Sequence, residues 1–249
     1  MQLLTGDEPS SEAPPCGVFV TGTGTEVGKT VVAAAIAATF AAEGKQVGVF
    51  KPAVTGLDEY ADGSKTGDMA SSSTHLPDHV MLREAAGSRQ SDEEIAPYRY
   101  GPPMSPHLAA ALAGEEIRSD HLVAAARRAA ARHDALVCEG VGGLLVPLTP
   151  AYLVRDFALD LGLPLVVAAP PGLGTINHSL LTLEAARSAG LAIAAVILTP
   201  WPEEASAVEE SNRETIASLG RIRVETLPRL DPGDPGSWPA LRLPPRSAR

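Results

Sequence analysis

The chain has 249 residues, of which 45% are apolar and 4% aromatic, and it carries a formal net charge of −10. This length fits one α/β domain with a sizeable core. The acidic balance excludes a broad basic face for nucleic acid or an anionic membrane, so local backbone N–H groups and a few lysines must hold any anionic ligand. Cys16 and Cys138 are the only cysteines, too few and too far apart for a metal knuckle or a disulfide framework.

Residues 1–15 are polar, acidic and Pro-rich, without the basic start and apolar stretch of a signal peptide. Glycine, proline or a charge interrupts every apolar run before it reaches the length of a membrane span. We therefore expect a cytoplasmic protein. We predict a disordered leader over 1–15, one domain over 16–230, and a Pro-rich tail over 231–249 that trails over the surface.

The first predicted elements are a strand at Gly17–Thr21, a helix at Lys29–Glu43 stopped by Gly44, and a strand at Gln46–Phe50. Between the first strand and the helix lies the loop Gly22-Thr23-Gly24-Thr25-Glu26-Val27-Gly28-Lys29-Thr30. Its glycines let several N–H groups point at one phosphate, and the helix adds its positive end. Lys29 adds a charge, and the hydroxyl of Thr30 can ligate Mg²⁺. The loop lacks the usual glycine at Thr23, but its place between strand and helix predicts a phosphate site.

Lys51 directly follows the second predicted strand, in Lys51-Pro52-Ala53-Val54-Thr55-Gly56. Ligands of an open parallel sheet lie beyond the carboxyl ends of its strands, so Lys51 should face the same crevice as the glycine-rich loop. Solvation explains a lysine at a strand end equally well, and the residues alone leave both readings open. The next segments, Thr55–Thr66 and Ser91–His107, are predicted to be irregular loops.

Strands and helices continue to alternate in the second half. The expected elements are a helix at Leu122–His133, strands at Ala135–Cys138 and Leu165–Ala169, a helix through Arg187, a strand at Leu191–Leu198, a helix around Val208–Leu219 and a strand near Arg223–Leu227. Strands that are apolar on both faces and alternate with helices predict an α/β fold with a doubly wound, mainly parallel sheet flanked by helices.

Three further positions could carry chemistry. Glu139 ends an apolar strand and is followed by Gly140, Gly142 and Gly143, so it could serve the metal of a nucleotide. Asp68 could be a second acidic partner or the N-cap of a short helix. Gly174-Thr175-Ile176-Asn177-His178 opens a helix and could offer N–H groups to an anion, although ordinary capping explains it as well.

Five motifs in this order resemble those of the dethiobiotin synthase family of P-loop NTPases. They are Thr25 to Thr30, Lys51 to Gly56, Pro97-Tyr98 with Ser105-Pro106-His107, Glu139 to Gly143 with Val141 in place of Ala, and Leu173 to His178. The matches run from about residue 18 to 230.

The resemblance implies a reaction in which CO₂ adds to an amine of 7,8-diaminopelargonate to form a carbamate. The carbamate then attacks the γ-phosphate of MgATP, and the second amine closes the ring as phosphate leaves. It implies catalytic roles for Lys51, Lys29 and Thr25, and Mg²⁺ ligands at Thr30, Asp68 and Glu139. Lys51 would hold the carbamate.

The resemblance also implies two sets of binding residues. The nucleotide would contact Gly24, Thr25, Glu26, Val27, Gly28, Lys29, Thr30, Glu139, Thr199 and Pro228. The substrate would contact Thr25, Lys51, Thr55, Gly142, Thr175 and Asn177, with the last two reached across the interface of a homodimer.

One departure concerns the base, because relatives often carry Asn-Asp where this chain has Thr199-Pro200-Trp201-Pro202. An alternative function is a partitioning-type ATPase switch, but such proteins usually carry an extra lysine where this chain has Gly24. An amidotransferase-type cobyrinate synthase is also related, but the chain has no room for a glutaminase domain.

Overall fold

The structure is a computed structural model that describes residues 16–61, 76–231 and 234–241. Its strands are β1 (Gly17–Gly22), β2 (Val47–Phe50), β3 (Ala53–Val54), β4 (Tyr98–Arg99), β5 (Ala135–Gly143), β6 (Pro147–Thr149), β7 (Tyr152–Leu153), β8 (Leu165–Ala169), β9 (Ile193–Trp201) and β10 (Val224–Pro228). Its helices are α1 (Lys29–Ala42), α2 (Asp58–Ala61), α3 (Asp78–Ala86), α4 (Asp92–Ile95), α5 (Pro106–Ala113), α6 (Ser119–Ala131), α7 (Val154–Leu161), α8 (Thr175–Ser188) and α9 (Ala207–Gly220), followed by a 3₁₀ turn at Pro235–Ser237.

Six strands form the central sheet in the order β10-β9-β8-β1-β5-β2. Every neighbouring pair is parallel, so all carboxyl ends meet at one edge. The chain leaves β1 first toward β2 and later crosses back to β8, which makes the end of β1 the switch point where ligands bind in such sheets. The predicted doubly wound, mainly parallel sheet is confirmed.

The sheet is apolar on both faces because alternate residues of each strand enter different cores. Phe19 of β1 lies in one hydrophobic cluster, together with side chains from α5, α6, α7, α8 and α9. Val18 and Val20 lie in the other, together with side chains from α1 and α3. Residues 32–37 of α1 are all buried, because this helix is packed between the sheet and α3. The core therefore fixes the start of α1 beside the end of β1.

The predicted strands and helices are present, with shifted ends, but both loop predictions are wrong in part. Thr55–Thr66 contains α2, and its remainder from residue 62 lies outside the described residues. Ser91–His107 contains α4, β4 and the start of α5. The physical reason is helix capping, since Ser91 and Glu94 form a capping box and Pro106 occupies the first turn of α5. Ser and Pro open helices here, although their clustering indicated a loop.

The described residues of the C-terminal Pro-rich segment pack on the domain. We expected this segment to trail over the surface, and Asp234, Pro239 and Ala240 are exposed, whereas Leu241 is buried. Leu241 is buried in the same cluster as Ile197 of β9 and Leu227 of β10. Its backbone N–H donates to Thr39 Oγ1 of α1 at 3.0 Å, and Trp238 packs against the same cluster. The apolar side chains of the segment thus extend the core on the α1 face.

In the described parts of the chain, no helix combines the length and apolar character needed to cross a bilayer.

Leu241→Ala should lower the free energy of unfolding by about 2 kcal/mol, because it deletes a buried side chain and leaves a cavity. Leu219→Ala is the matched control, since Leu219 is 65% exposed on α9 and its truncation removes little buried area. Urea unfolding of both variants measures the difference. Equal stability of Leu241→Ala and the unaltered chain would show that the C-terminal segment does not contribute to the core.

Candidate active site

The glycine-rich loop connects β1 to α1 in a strained, compact path. Gly28, immediately before α1, has φ 86°, a left-handed conformation that favours glycine. Lys29 Nζ donates to the carbonyl oxygen of Gly24 at 2.8 Å, so the lysine side chain lies across the loop. The N–H of Thr23 donates to the carbonyl of Ala168 at the end of β8, at 3.0 Å. These contacts hold the loop at the switch point, with the positive end of α1 behind it.

Strand register brings Lys51 and Glu139 together. Phe50 of β2 pairs with Cys138 of β5, so the next residue on each strand lies at the same level. Lys51 Nζ is 2.6 Å from Glu139 Oε1, and the two residues are only 3% and 1% exposed. Glu139 also pairs with Val20 of β1, which places its carboxylate beside the start of the phosphate loop.

Two more side chains complete this group, which we call the carboxylate cluster: Thr30, Lys51, Asp78 and Glu139. Thr30 Oγ1 donates to the same Glu139 Oε1 at 2.9 Å. Asp78 Oδ2, at the start of α3, is 2.8 Å from Lys51 Nζ. The ammonium group thus lies between two carboxylates, with a hydroxyl on one of them. Several close partners of this kind offset the cost of burying the ammonium charge.

Electrostatics in the cluster favour a charged Lys51. Burial by itself lowers the pKa of Lys51, but the carboxylates of Asp78 and Glu139 outweigh burial, and the net shift of its pKa is upward. Burial raises the pKa of Glu139, and the Lys51 ammonium opposes that shift. The net shift of the Glu139 pKa is upward, so burial outweighs the Lys51 ammonium there. Burial also lowers the pKa of Lys29, partly offset by Glu139.

The cluster suits a hard divalent cation. Glu139 Oε2 is buried and has no hydrogen-bond partner among the described residues. With Thr30 Oγ1 and the carboxylate of Asp78, it gives a set of oxygen donors of the kind that Mg²⁺ prefers. Asp78 Oδ2 and the other carboxylate oxygen of Glu139, Oε1, contact the Lys51 ammonium.

Asp78 was missed by reasoning from the sequence, which gave the second acidic position to Asp68. Asp68 lies outside the described residues, so the structure says nothing of it. Asp78 reaches the cluster because α3 packs along α1, with its first residue at the same end as the carboxyl edge of the sheet. The available signal was Pro77-Asp78 before an amphipathic stretch, a helix start that presents an acidic residue in its first turn.

The other predicted site residues occupy several environments. Thr25 and Glu26 are exposed on the phosphate loop, and Glu26 has φ 58°. A Cβ at Gly142 would lie 3.7 Å from Thr25 Oγ1, so the loop and the end of β5 face each other. Thr55 is half-buried just after β3. The roles given to these residues stay predictions.

The two positions predicted near the base differ in exposure. Thr199 is 2% exposed, and its methyl group packs on the backbone of Gly28, 2.5 Å from where a Cβ would be. Pro228 is exposed at the end of β10, where it pairs with Trp201. Thr199 is therefore a packing contact of the phosphate loop.

The start of α8 presents Thr175 and Asn177 in its first turn. Asn177 is exposed, whereas Thr175 is buried, with Oγ1 lacking a hydrogen-bond partner in the described part of the chain. Gly174 precedes the helix with φ 85°. The first backbone N–H groups of a helix have no partner within it, so this turn can accept an anion.

Solved structures of low sequence identity share the fold. The MinC:MinD cell division protein complex of Aquifex aeolicus matches with a TM-score of 0.52 at 13% identity, covering 86% of this chain and 82% of that chain. Chloroplast FtsY from Physcomitrella patens matches with a TM-score of 0.50 at 16% identity, covering 93% of this chain and 65% of that chain. At these identities the likeness shows the fold alone.

Sequence relatives are more specific. The sequence model of a family described as an AAA domain matches residues 16–232. A protein of Anaeromyxobacter dehalogenans, named ATP-dependent dethiobiotin synthetase BioD, is 42% identical over 207 residues, which are 82% of this chain and 85% of the relative. A protein of the same name from Bacillus subtilis is 34% identical over 203 residues, 82% of each chain. The chain therefore belongs to the ATP-dependent dethiobiotin synthetase family.

Proposed function

We propose that this protein is a dethiobiotin synthetase, which converts 7,8-diaminopelargonate, CO₂ and MgATP into dethiobiotin, ADP and phosphate. The observation that carries the proposal is the carboxylate cluster beside the phosphate loop. The buried lysine of this cluster, Lys51, is a different residue from Lys29 of the phosphate loop. The ATPase switches considered above usually carry their extra lysine in the loop, at the position of Gly24, whereas a reaction through a carbamate can use a cation outside the loop to hold that anion.

The proposed reaction has three steps. One amine of the substrate adds to the carbon of CO₂ and loses a proton, which leaves a carbamate. A carbamate oxygen attacks the γ-phosphorus, and the bond to ADP breaks. The second amine then attacks the carbonyl carbon of the mixed anhydride, loses a proton and expels phosphate, which closes the ring.

Each residue of the site has a matching task. Lys29 and the N–H groups of the loop stabilise charge on the transferring phosphoryl group. Thr30, Asp78 and Glu139 would hold Mg²⁺, which when bound neutralises charge on the phosphate oxygens. Asp78 is added because it lies in the cluster, and the ligand role of Asp68 stays a prediction. Lys51 would bind the carbamate.

The position of Lys51 supports a coupling between metal binding and substrate binding. Its ammonium lies within 2.8 Å of both carboxylates. At ~4 Å and an effective dielectric of ~20, an ammonium and a divalent cation would repel each other by about 8 kcal/mol. If Asp78 and Glu139 held Mg²⁺, Lys51 would be displaced from the two carboxylates by charge repulsion, and its ammonium would be left for the carbamate.

Lys51→Gln should lower the rate of ring closure ~10²-fold or more. Its affinity for the nucleotide should change little, because the lysine binds the carbamate. The same variant should bind Mn²⁺ about 10-fold more tightly in the absence of nucleotide, since the competing ammonium is gone. Turnover assays and Mn²⁺ titration followed by electron paramagnetic resonance measure the two effects.

Lys29→Gln is the control for both measurements. Its ammonium donates to Gly24, so we expect lost turnover and weakened nucleotide binding with little change in Mn²⁺ affinity. If Lys51→Gln weakens nucleotide binding as much as turnover, Lys51 belongs to the phosphate site. If it weakens Mn²⁺ binding, the displacement idea is wrong.

The protein should accept more than one nucleoside triphosphate. Thr199 is buried against Gly28, and neither Pro200 nor Pro228 has an N–H to offer to a base. One or two missing hydrogen bonds are worth ~1–3 kcal/mol, so rates with ATP, CTP and GTP should lie within about one or two orders of magnitude of each other. Initial rates at limiting nucleotide decide the matter. A strict requirement for ATP would show that other groups read the base.

We also propose that the protein is a homodimer, in which the start of α8 serves the site of the partner copy. Leu173 is 90% exposed and Leu181, on α8, is 57% exposed, so this face offers apolar contacts to a second copy. The cytoplasmic location stays a prediction from the sequence.

Sedimentation equilibrium should give twice the mass of one chain. Leu173→Asp should shift the protein toward monomers and lower ring closure, because a charge would be desolvated in the interface. Leu219→Asp, at an exposed leucine of α9, should change neither the oligomeric state nor the rate of ring closure. A monomeric unaltered protein with full activity would refute the dimer.

A further inference from the structure

Asn212 of α9 ties the loop before α8 to the body of the protein. Its Nδ2 donates to the carbonyl of Pro171 at 2.9 Å and to the carbonyl of Gly172 at 3.2 Å. The side chain is 7% exposed. A buried amide that contacts two consecutive carbonyls has little freedom, and its loss leaves both carbonyls without that donor.

The carbonyl of Gly172 also contacts the first residue of α8. It accepts a hydrogen bond from the N–H of Thr175 at 3.3 Å. Gly174 lies between them with φ 85°, which turns the chain sharply into the helix. Asn212 therefore holds the residues that determine where the free N–H groups of this turn point.

A direct contact between α8 and α9 lies near the C-terminal ends of both helices. Arg187, near the end of α8, donates to the carbonyl of Gly220 at the end of α9. Gly220 is packed so closely that a Cβ there would lie 2.9 Å from Leu183 Cδ1. α8 and α9 are thus in contact near their C-terminal ends, and Asn212 contacts the loop that leads into Thr175 and Asn177.

We propose that Asn212 is a positioning residue for the substrate carboxylate. This inference rests on the proposed function, in which the start of α8 receives that carboxylate. Asn212 fixes the loop 171–174, the loop fixes the first turn of α8, and the turn presents its N–H groups in one orientation. A preformed anion site binds without the cost of ordering the loop, and small displacements of such groups weaken binding strongly.

Asn212→Leu and Asn212→Asp test this role, since both keep the size of the side chain and neither can donate to the two carbonyls. We expect the KM for 7,8-diaminopelargonate to rise about 10-fold or more in each. The KM for ATP and the kcat should stay within about 2-fold, because the phosphate loop is untouched. Arg187→Leu is the matched control. It removes the contact at the far end of the same helix pair and should leave all three constants unchanged.

Amide hydrogen exchange gives a readout that does not need turnover. Exchange in residues 171–178 should speed up in both Asn212 variants, while exchange in α1 stays as in the unaltered protein. Arg187→Leu should not alter residues 171–178. Two variants guard against a failure of one to fold.

The outcomes separate the two proposals. Absence of ring closure by the unaltered protein would overturn the proposed function. Normal ring closure with an unchanged substrate KM in folded Asn212 variants would overturn the positioning role alone. Equal rises in both KM values, the same rise in Arg187→Leu, or unchanged exchange at 171–178 would also overturn it.

Discussion

The ion pair between Lys51 and Glu139 is the contact on which the proposed chemistry depends. Removing two charges from water costs several kcal/mol per ion, and this cost is offset only when each charge has close partners. Here the 2.6 Å contact, the hydroxyl of Thr30 and the carboxylate of Asp78 supply them. The pair is possible because β2 and β5 are neighbours in register, so both residues leave the sheet at one level.

The same contact explains how an acidic protein can bind a highly charged anion. With a net charge of −10, the protein has no general attraction for a triphosphate. Attraction is concentrated at the edge of the sheet, where the positive end of α1, Lys29 and Lys51 converge. Two carboxylates in the same place would repel the phosphates, and the Mg²⁺ of the proposed function would offset that repulsion. The attraction for the triphosphate thus arises from the placement of a few charges and not from the net charge of the protein.

Features that sit at strand ends were predictable from the sequence. An apolar run followed by a functional side chain is visible without a structure, and Lys51, Glu139 and the phosphate loop are all of this kind. Asp78 is different, because its place depends on how α3 packs on α1, and no local pattern encodes that distance. The burial of Thr199 beneath Gly28 is likewise a tertiary contact.

The other differences between the predicted and the observed elements had local causes. Serine and proline open short helices between residues 91 and 107, where their composition indicated a loop. The packing of Leu241 on α1 was invisible because a single leucine among prolines shows no periodicity. Family resemblance supplied the roles of Lys51, Thr175 and Asn177, which the residues alone left open.

The most direct test of the proposed function is the stoichiometry of one reaction. The protein would be incubated with ATP, 7,8-diaminopelargonate and ¹⁴C-bicarbonate, and ADP, phosphate and labelled product would be quantified over the same interval. Dethiobiotin synthesis predicts that labelled dethiobiotin, ADP and phosphate appear in equal amounts, and that no ATP is consumed without the diamine. ATP hydrolysis that proceeds at the same rate without the diamine, with no labelled ring, would contradict it and would indicate an ATPase switch instead.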